Sequence, residues 1–475
     1  MNVNTLIVDL DGTLVKTDCS LETLWSSISL NPANAFKVFG WFFKGRPYLK
    51  DKLFESSDLD AKSLPYNQEV ISAILESKKN GSKVYLMTGS SQKVANKIQE
   101  NFNFFDDVFG TSKNINLIGK NKLKKIREII GNDPFSYIGD SSQDIPIWEE
   151  AEEILIVANN NNLEKKIIKK EKKITYIYKD KLLKNIFKVI RPYQWLKNFL
   201  VFVPFLIYEN SGYEEFVLSS LGFISFCLIA SSVYVLNDLL DIKSDRDHLT
   251  KKNRPFAAGS LALINGFWLL PLLLVSGLIV ASLLGTATFL IVLIYLIITL
   301  FYSLSFKKKL ILDVCILACL YTLRLIGGAI VIQSDLSPWL INFSIFFFFF
   351  LACIKRESEL IVGVNANNSA SRRSYIEEDK KGLSTLAIGS GLLSVLILLL
   401  YADSASSLNA FTSPIFLWFL SPIFLYWISR LSLLSSRGYI KEDPLLFALK
   451  DRISFFVGFG VITIIILARF INLNF

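Results

Sequence analysis

The chain has a single histidine, His248, and only five cysteines among its 475 residues. Cys227, Cys315, Cys319 and Cys353 lie in apolar runs. With Cys19 they read as small buried hydrophobes, and their odd number argues against a disulfide or cysteine–metal framework. The opening MNVNTLIVDLDGT lacks a basic stretch followed by an apolar run and a small-residue cleavage site, so no signal peptide is expected. Long apolar runs are missing up to about Lys184 and dominate from about Arg191. That shift reconciles 52% hydrophobic with 20% charged residues, as a soluble half joined to a membrane half. The net charge of +9 is then expected on the cytoplasmic membrane face, and nucleic acid is not an expected partner.

About 20 apolar residues cross a bilayer. Nine spans are expected, at about 195–210, 215–237, 263–283, 286–305, 311–333, 337–354, 384–402, 411–430 and 453–473. Alternate loops carry the cations: Lys243 to Arg254, Lys307 to Lys309, Lys355 to Lys381 and Arg437 to Arg452. The intervening loops (ENSGYEE, GTAT, QSDLSP, ADSASSLN) contain no Lys or Arg. The asymmetry places the basic loops and the N-terminal half in the cytoplasm of an integral membrane protein, and an odd number of spans leaves the C-terminus outside.

One basic loop, NDLLDIKSDRDHLTKKNRPFAAG, also carries acids. Asn237, Asp238, Asp241 and Asp245 recur every three or four residues and share one face of a helix end. Carboxylates so placed repel unless a cation lies among them, and Mg2+ prefers carboxylate and phosphate oxygens together. This NDxxDxxxD pattern resembles the first motif of the UbiA superfamily of intramembrane prenyltransferases, over roughly 190–475, with YSLSFK (Tyr302, Lys307) after the fourth span. Where ubiquinone-type members carry a second acidic motif, the chain has KRESEL, with Lys355, Arg356 and Glu359.

Cations in place of acids suit a donor bearing a further phosphate. Arg324, inside an apolar run, points the same way, its alternative being a structural pair with Asp313. The set RPYQWLKN, NDLLDIKSDRDHLTKKNRPFAAG, LDVCILACLYTLRLIGGA and KRESEL resembles the decaprenyl-phosphate phosphoribosyltransferase branch. That resemblance implies transfer of 5-phosphoribose from phosphoribosyl diphosphate to a polyprenyl phosphate. It implies Mg2+ and diphosphate at Asn237, Asp238, Asp241 and Asp245. Substrate contacts would come from Lys197, Asn198, Arg254, Tyr302, Lys307, Arg324, Lys355, Arg356 and Glu359. No general base is needed, so His248 is read as loop structure or a phosphate hydrogen bond.

At the N-terminus a strand-like run, Thr5 to Leu10, leads into Asp9-Leu10-Asp11-Gly12-Thr13. A carboxylate at a strand's carboxyl end before a tight glycine turn suits a covalent phosphoryl acceptor. Val84 to Gly89 ends a second strand on a hydroxyl, Lys122 opens a basic helix, and Phe135 to Gly139 precedes Asp140 and Asp144. The order resembles the haloacid dehalogenase (HAD) superfamily of phosphatases. It implies Asp9 as nucleophile, Asp11 as general acid/base, Thr88 on phosphate and Lys122 on the aspartyl-phosphate, with Lys120 and Lys124 as rivals. Mg2+ would sit among Asp9, Asp11, Asp140 and Asp144.

Two domains are therefore expected. Residues 1–180 form an α/β HAD-like domain, a Rossmannoid parallel sheet with a helical cap at about 18–75. Residues 181–475 form an all-α, UbiA-like polytopic bundle. The cap segment FKVFGWFFKGRPYLK reads first as buried cap core and second as a membrane-surface patch. Residues 160–190 read as a linker whose Lys-rich start favours anionic lipid. The two activities are expected to be consecutive, with the HAD domain removing the 5-phosphate of the lipid product. The rival is an aromatic prenyltransferase using an allylic diphosphate, its HAD domain a separate phosphatase or a non-catalytic module. The oligomeric state is left open, a homo-oligomer included.

Overall fold

The computed structural model describes residues 4–112, 115–158, 173–178, 181–208, 212–248, 250–335, 337–365, 375–441 and 443–472. It divides into two compact units. One comprises Met1–Ile190 with Tyr234–Leu270, the other Arg191–Val233 with Pro271–Phe475. The acidic loop thus groups with the N-terminal half.

In the first unit six strands form one parallel sheet in the order β3-β2-β1-β4-β5-β6. They are β1 Thr5–Val8, β2 Lys83–Ser91, β3 Asp107–Thr111, β4 Ser136–Gly139, β5 Glu153–Ala158 and β6 Lys173–Tyr178. Apolar residues alternate between the faces. Leu6 and Val8 join one core with Leu86 and Ile138, while Ile7 joins the other with Met87, Tyr137 and Trp148. β1 lies centrally, pairing Val8 with both Leu86 and Ile138, so the residues following β1 and β4 emerge side by side at the carboxyl edge.

Three helices, α1 Cys19–Leu30, α2 Asn34–Phe42 and α3 Arg46–Ser56, form the cap between β1 and β2. Asp18 starts α1 by accepting hydrogen bonds from the amides of Ser20 and Leu21. The next helix, α4 Gln68–Lys79, buries Val70 and Ile74 in the sheet core, so it belongs to the sheet layer and the cap ends before it. Reading the cap aromatics as a buried core is overturned, because Phe36, Phe39, Phe42 and Phe43 are all exposed. The 160–190 linker is also corrected in part. Its alternating KITYIY supplies edge strand β6, and Leu182–Ile190 is a helix. Its Lys-rich start lies outside the described residues.

Among the described residues eight helices are long and apolar enough to cross a membrane. They are Tyr213–Leu240, Leu263–Leu283, Thr286–Leu304, Leu312–Val331, Pro338–Ile361, Asp379–Ala402, Pro414–Ser436 and Arg452–Phe470. The expected first span is different: a 3₁₀ segment, Pro192–Phe202, followed by the short helix Val203–Ile207. Prolines open both pieces, where a missing amide is tolerated. A 3₁₀ helix rises about 2.0 Å per residue, so the two pieces together reach roughly 30 Å, a bilayer's thickness. Gly328 lets this segment pack closely, since a Cβ there would lie 2.1 Å from the Val201 carbonyl oxygen.

Candidate active sites

The carboxyl edge of the sheet gathers a buried charge cluster. Asp9, Asp140 and Asp144 each offer an oxygen within 4.8 Å of the others. Lys122 Nζ stands 2.7 Å from Asp9 Oδ1 and 3.6 Å from Asp144 Oδ1. It also donates to the Tyr137 hydroxyl at 3.0 Å, which in turn donates to Asp144 Oδ1 at 2.7 Å. Gly12, at φ +72°, admits Asp140: a Cβ there would fall 2.1 Å from Asp140 Oδ2. Burial pushes the Asp9 carboxyl well above its usual range against the pull of Lys122, with Asp144 and Asp140 adding to the rise. Three converging carboxylates facing one ammonium are short of positive charge, which fits a divalent cation.

Lys122 and Ile126 are the inward residues of α5 Lys120–Ile130. Lys120 and Lys124 instead line an open surface groove with Arg127 and Glu150, which separates them from this cluster. The Asp11 side chain is not among these converging carboxylates. One of its oxygens accepts the Cys19 amide at 2.7 Å, and the other accepts the hydroxyls of Thr88 at 3.0 Å and Ser90 at 2.7 Å. The cap closes over this edge through contacts that sequence patterning does not reveal. Lys50 donates to the Gly89 carbonyl at 2.5 Å, Ser91 donates to Asp51 at 2.5 Å, and Lys93 pairs with Glu55 at 2.6 Å.

The acidic loop forms a second site. Helical hydrogen bonding continues past Leu240: the Asp241 amide donates to the Asn237 carbonyl at 2.9 Å, and the Asp245 amide to the Asp241 carbonyl at 2.8 Å. The spacing of one per turn therefore survives the change of helix at Ile242–Arg246. Arg254 pairs with both Asp238 (3.1 Å) and Asp245 (2.7 Å). Asp245 Oδ1 is buried without a hydrogen-bond partner, an orphaned anionic oxygen that a cation would satisfy. Arg246, inside the motif, turns away to Glu22 of α1, at 2.6 Å. His248 accepts from the Thr250 amide at 3.3 Å, consistent with a role in loop structure.

The helical unit holds the remaining cations. Lys197 and Lys355 converge on one oxygen of Asp443, each at 2.9 Å. Burial raises the Asp443 carboxyl, but the two ammonium groups outweigh it and hold it well below its usual range. Arg356 is buried and pairs with Asp313 at 2.5 Å and Glu359 at 2.8 Å, and also donates to the Tyr302 hydroxyl at 3.0 Å. The Tyr375 hydroxyl donates to the other Asp313 oxygen at 2.5 Å and accepts the amide of Ile311, a β-branched residue held at φ +60°. Arg324 does not pair with Asp313. Its guanidinium donates to Asn198 (2.7 Å), the Leu320 carbonyl (2.6 Å) and the Tyr295 hydroxyl (2.7 Å). Lys307 sits half-buried in the turn Phe306–Lys308. Asp443 and Tyr375 escaped the sequence reading because each is a lone residue in a loop, outside any recognisable spacing.

Comparison with known proteins identifies the helical part of the chain. The profile of the UbiA prenyltransferase family covers residues 198–459. An uncharacterized protein of Sinorhizobium fredii, y4nM, is 33% identical over 462 residues, 95% of this chain and 89% of its own length. The nodulation protein NoeC of Azorhizobium caulinodans is 33% identical over 266 residues, 55% of this chain and 85% of its own. A decaprenyl-phosphate phosphoribosyltransferase of Mycolicibacterium smegmatis is 30% identical over 280 residues, 57% of this chain and 88% of its own. The chain belongs to the UbiA prenyltransferase family and joins its helical membrane domain to a Rossmannoid parallel-sheet domain.

Proposed function

We propose that the chain is a bifunctional membrane enzyme. The UbiA domain transfers 5-phosphoribose from phosphoribosyl diphosphate to a polyprenyl phosphate. The sheet domain, a HAD-type phosphatase, then removes the 5-phosphate from the lipid product. The observation that carries the reading is the coexistence, in one chain, of the Asp9–Lys122 cluster and the Asp238–Asp245 loop. The likeness to a decaprenyl-phosphate phosphoribosyltransferase supports the choice of donor and acceptor.

In the transfer, an oxygen of the lipid phosphate forms the new bond to ribose C1 as the C1–diphosphate bond breaks and diphosphate leaves. The nucleophile is already anionic, so positioning and charge neutralisation carry the rate. Asp238, Asp241 and Asp245, with Asn237, would hold Mg2+ and the diphosphate. Lys197, Lys355 and Arg356 of the helical unit would contact phosphate groups, and Arg254 is the cation of the acidic loop. In the hydrolysis, Asp9 attacks phosphorus and the ribose O5–P bond breaks. Asp11 gives a proton to the departing alcohol and then takes one from the water that cleaves the aspartyl-phosphate. Lys122 stands beside Asp9 to offset charge on the phosphoryl group. Asp9, Asp140 and Asp144 would hold Mg2+, which when bound neutralises phosphate oxygens. The charged loops support a cytoplasmic placement of the N-terminal domain, with Pro192–Ile207 as the first crossing.

The test is incorporation of label by full-length protein in vesicles containing polyprenyl phosphate. Label is expected to enter the lipid fraction from phosphoribosyl diphosphate. Incorporation from an allylic diphosphate alone would replace this reading with an aromatic prenyltransferase.

A further inference from the structure

The cap makes contacts that locate it at the ends of spanning helices. Trp25 of α1 donates its indole N–H to the Leu239 carbonyl at 2.7 Å, on the last turn of Tyr213–Leu240. Its ring packs 5.3 Å from that of Phe267, near the start of Leu263–Leu283. α2 follows α1 after a short turn and is tied to it by Asn34, whose amide donates to the Ser27 carbonyl at 3.2 Å. α2 is thus tied to a helix that touches the ends of two candidate spans.

One face of α2 is apolar and bare. Phe36, Phe39 and Phe43 recur at helical spacing and are 86%, 70% and 72% exposed. Exposed Lys37, Lys44 and Arg46 flank them. Aromatic and basic side chains together, on a helix at a membrane boundary, match the chemistry of an anionic headgroup layer. The same chemistry recurs in Leu182–Ile190, which leads into the membrane domain: Leu183 and Phe187 are exposed beside Lys184 and Lys188.

We infer that α2 is a membrane-surface anchor, seated on anionic lipid with its phenylalanines in the interfacial layer. The anchor fixes the cap at the membrane surface. It does not depend on either proposed reaction.

The test uses full-length protein with Phe39→benzoylphenylalanine, reconstituted in vesicles of mixed phosphatidylglycerol and phosphatidylcholine and illuminated. Phe459→benzoylphenylalanine, on the exposed flank of Arg452–Phe470, is the membrane control, and Lys79→benzoylphenylalanine at the exposed end of α4 is the aqueous one. Lipid adducts at position 39 are expected within about threefold of those at 459 and at least about fivefold above those at 79, falling severalfold without phosphatidylglycerol. Adducts between two copies of the chain would overturn the inference in favour of self-association. A yield at 39 equal to that at 79, with 459 forming lipid adducts, would overturn it outright. So would a yield indifferent to headgroup charge.

Discussion

Arg246 and Glu22, 224 residues apart, meet in a two-pronged ion pair, with Nη2–Oε1 at 2.6 Å and Nη1–Oε2 at 3.3 Å. Both side chains are nearly out of water, at 8% and 7% exposure. One belongs to the acidic loop and the other to the cap of the sheet domain. Gly259 reinforces the contact: a Cβ there would press within 2.8 Å of Lys16 and 2.9 Å of Pro65. The Asn185 amide adds a hydrogen bond to the Ser260 carbonyl at 2.9 Å. The acidic loop is thus built against the sheet domain.

Breaking that pair should disturb the loop. Glu22→Gln leaves a largely buried guanidinium without its counter-charge, at a cost of about 3 kcal/mol. Thermal unfolding should begin earlier, and lipid-linked transfer should fall severalfold. The double variant Glu22→Met/Arg246→Met should recover most of the stability. Transfer by Glu22→Gln at the wild-type rate would show that the loop holds its shape unaided.

Lysine substitutions on α5 should sort sharply. Lys122→Met should lower hydrolysis of a soluble phosphomonoester by about 100-fold or more, because charge on the phosphoryl group loses its buried partner. Lys120→Ala and Lys124→Ala should stay within about twofold of wild type, since both face the outer groove. Steady-state hydrolysis by the full-length protein reads the difference.

The orphaned Asp245 oxygen makes a claim about metal. Asp245→Asn should raise the Mg2+ concentration needed for half-maximal transfer by about tenfold. The Mg2+ dependence of phosphomonoester hydrolysis should be unchanged in the same preparation. Equal shifts in both reactions would place Asp245 in a structural role.

Asp313 anchors the helical unit. Asp313→Asn leaves Arg356 buried beside Glu359 alone, and the unfolding midpoint in detergent should fall by several degrees, corresponding to about 3 kcal/mol. By contrast, Lys355→Met leaves Asp443 its pair with Lys197, so it should lower the midpoint less while raising the KM for the diphosphate donor by about tenfold.

Much of this was legible in the residues, and what was not has physical causes. The strand–Asp–Gly turn, the hydroxyl ending β2 and the NDxxDxxxD spacing are local patterns, and local hydrogen bonding preserves them. Lys122 is recognisable as a type but not by register, since GKNKLKK offers four lysines and only the fold decides which one shares the buried face with Ile126. Asp443, Tyr137 and Glu22 depend on partners that chain folding brings together, so no spacing announces them. The segment expected as the first span is a 3₁₀ piece and a short helix, which hydropathy does not reveal because it records apolar length and not the rise per residue. The cap phenylalanines were read first as core because hydrophobicity alone does not say what covers a face.

The coupling of the two domains is tested most directly by product analysis. Full-length wild type and Asp9→Asn are incubated in vesicles with phosphoribosyl diphosphate and a polyprenyl phosphate, and the lipids are weighed by mass spectrometry. The predicted result is dephosphorylated ribosyl lipid from wild type and intact 5-phosphoribosyl lipid from Asp9→Asn, at similar total yield. Dephosphorylated lipid from both proteins, or no ribosyl lipid from either, would contradict it.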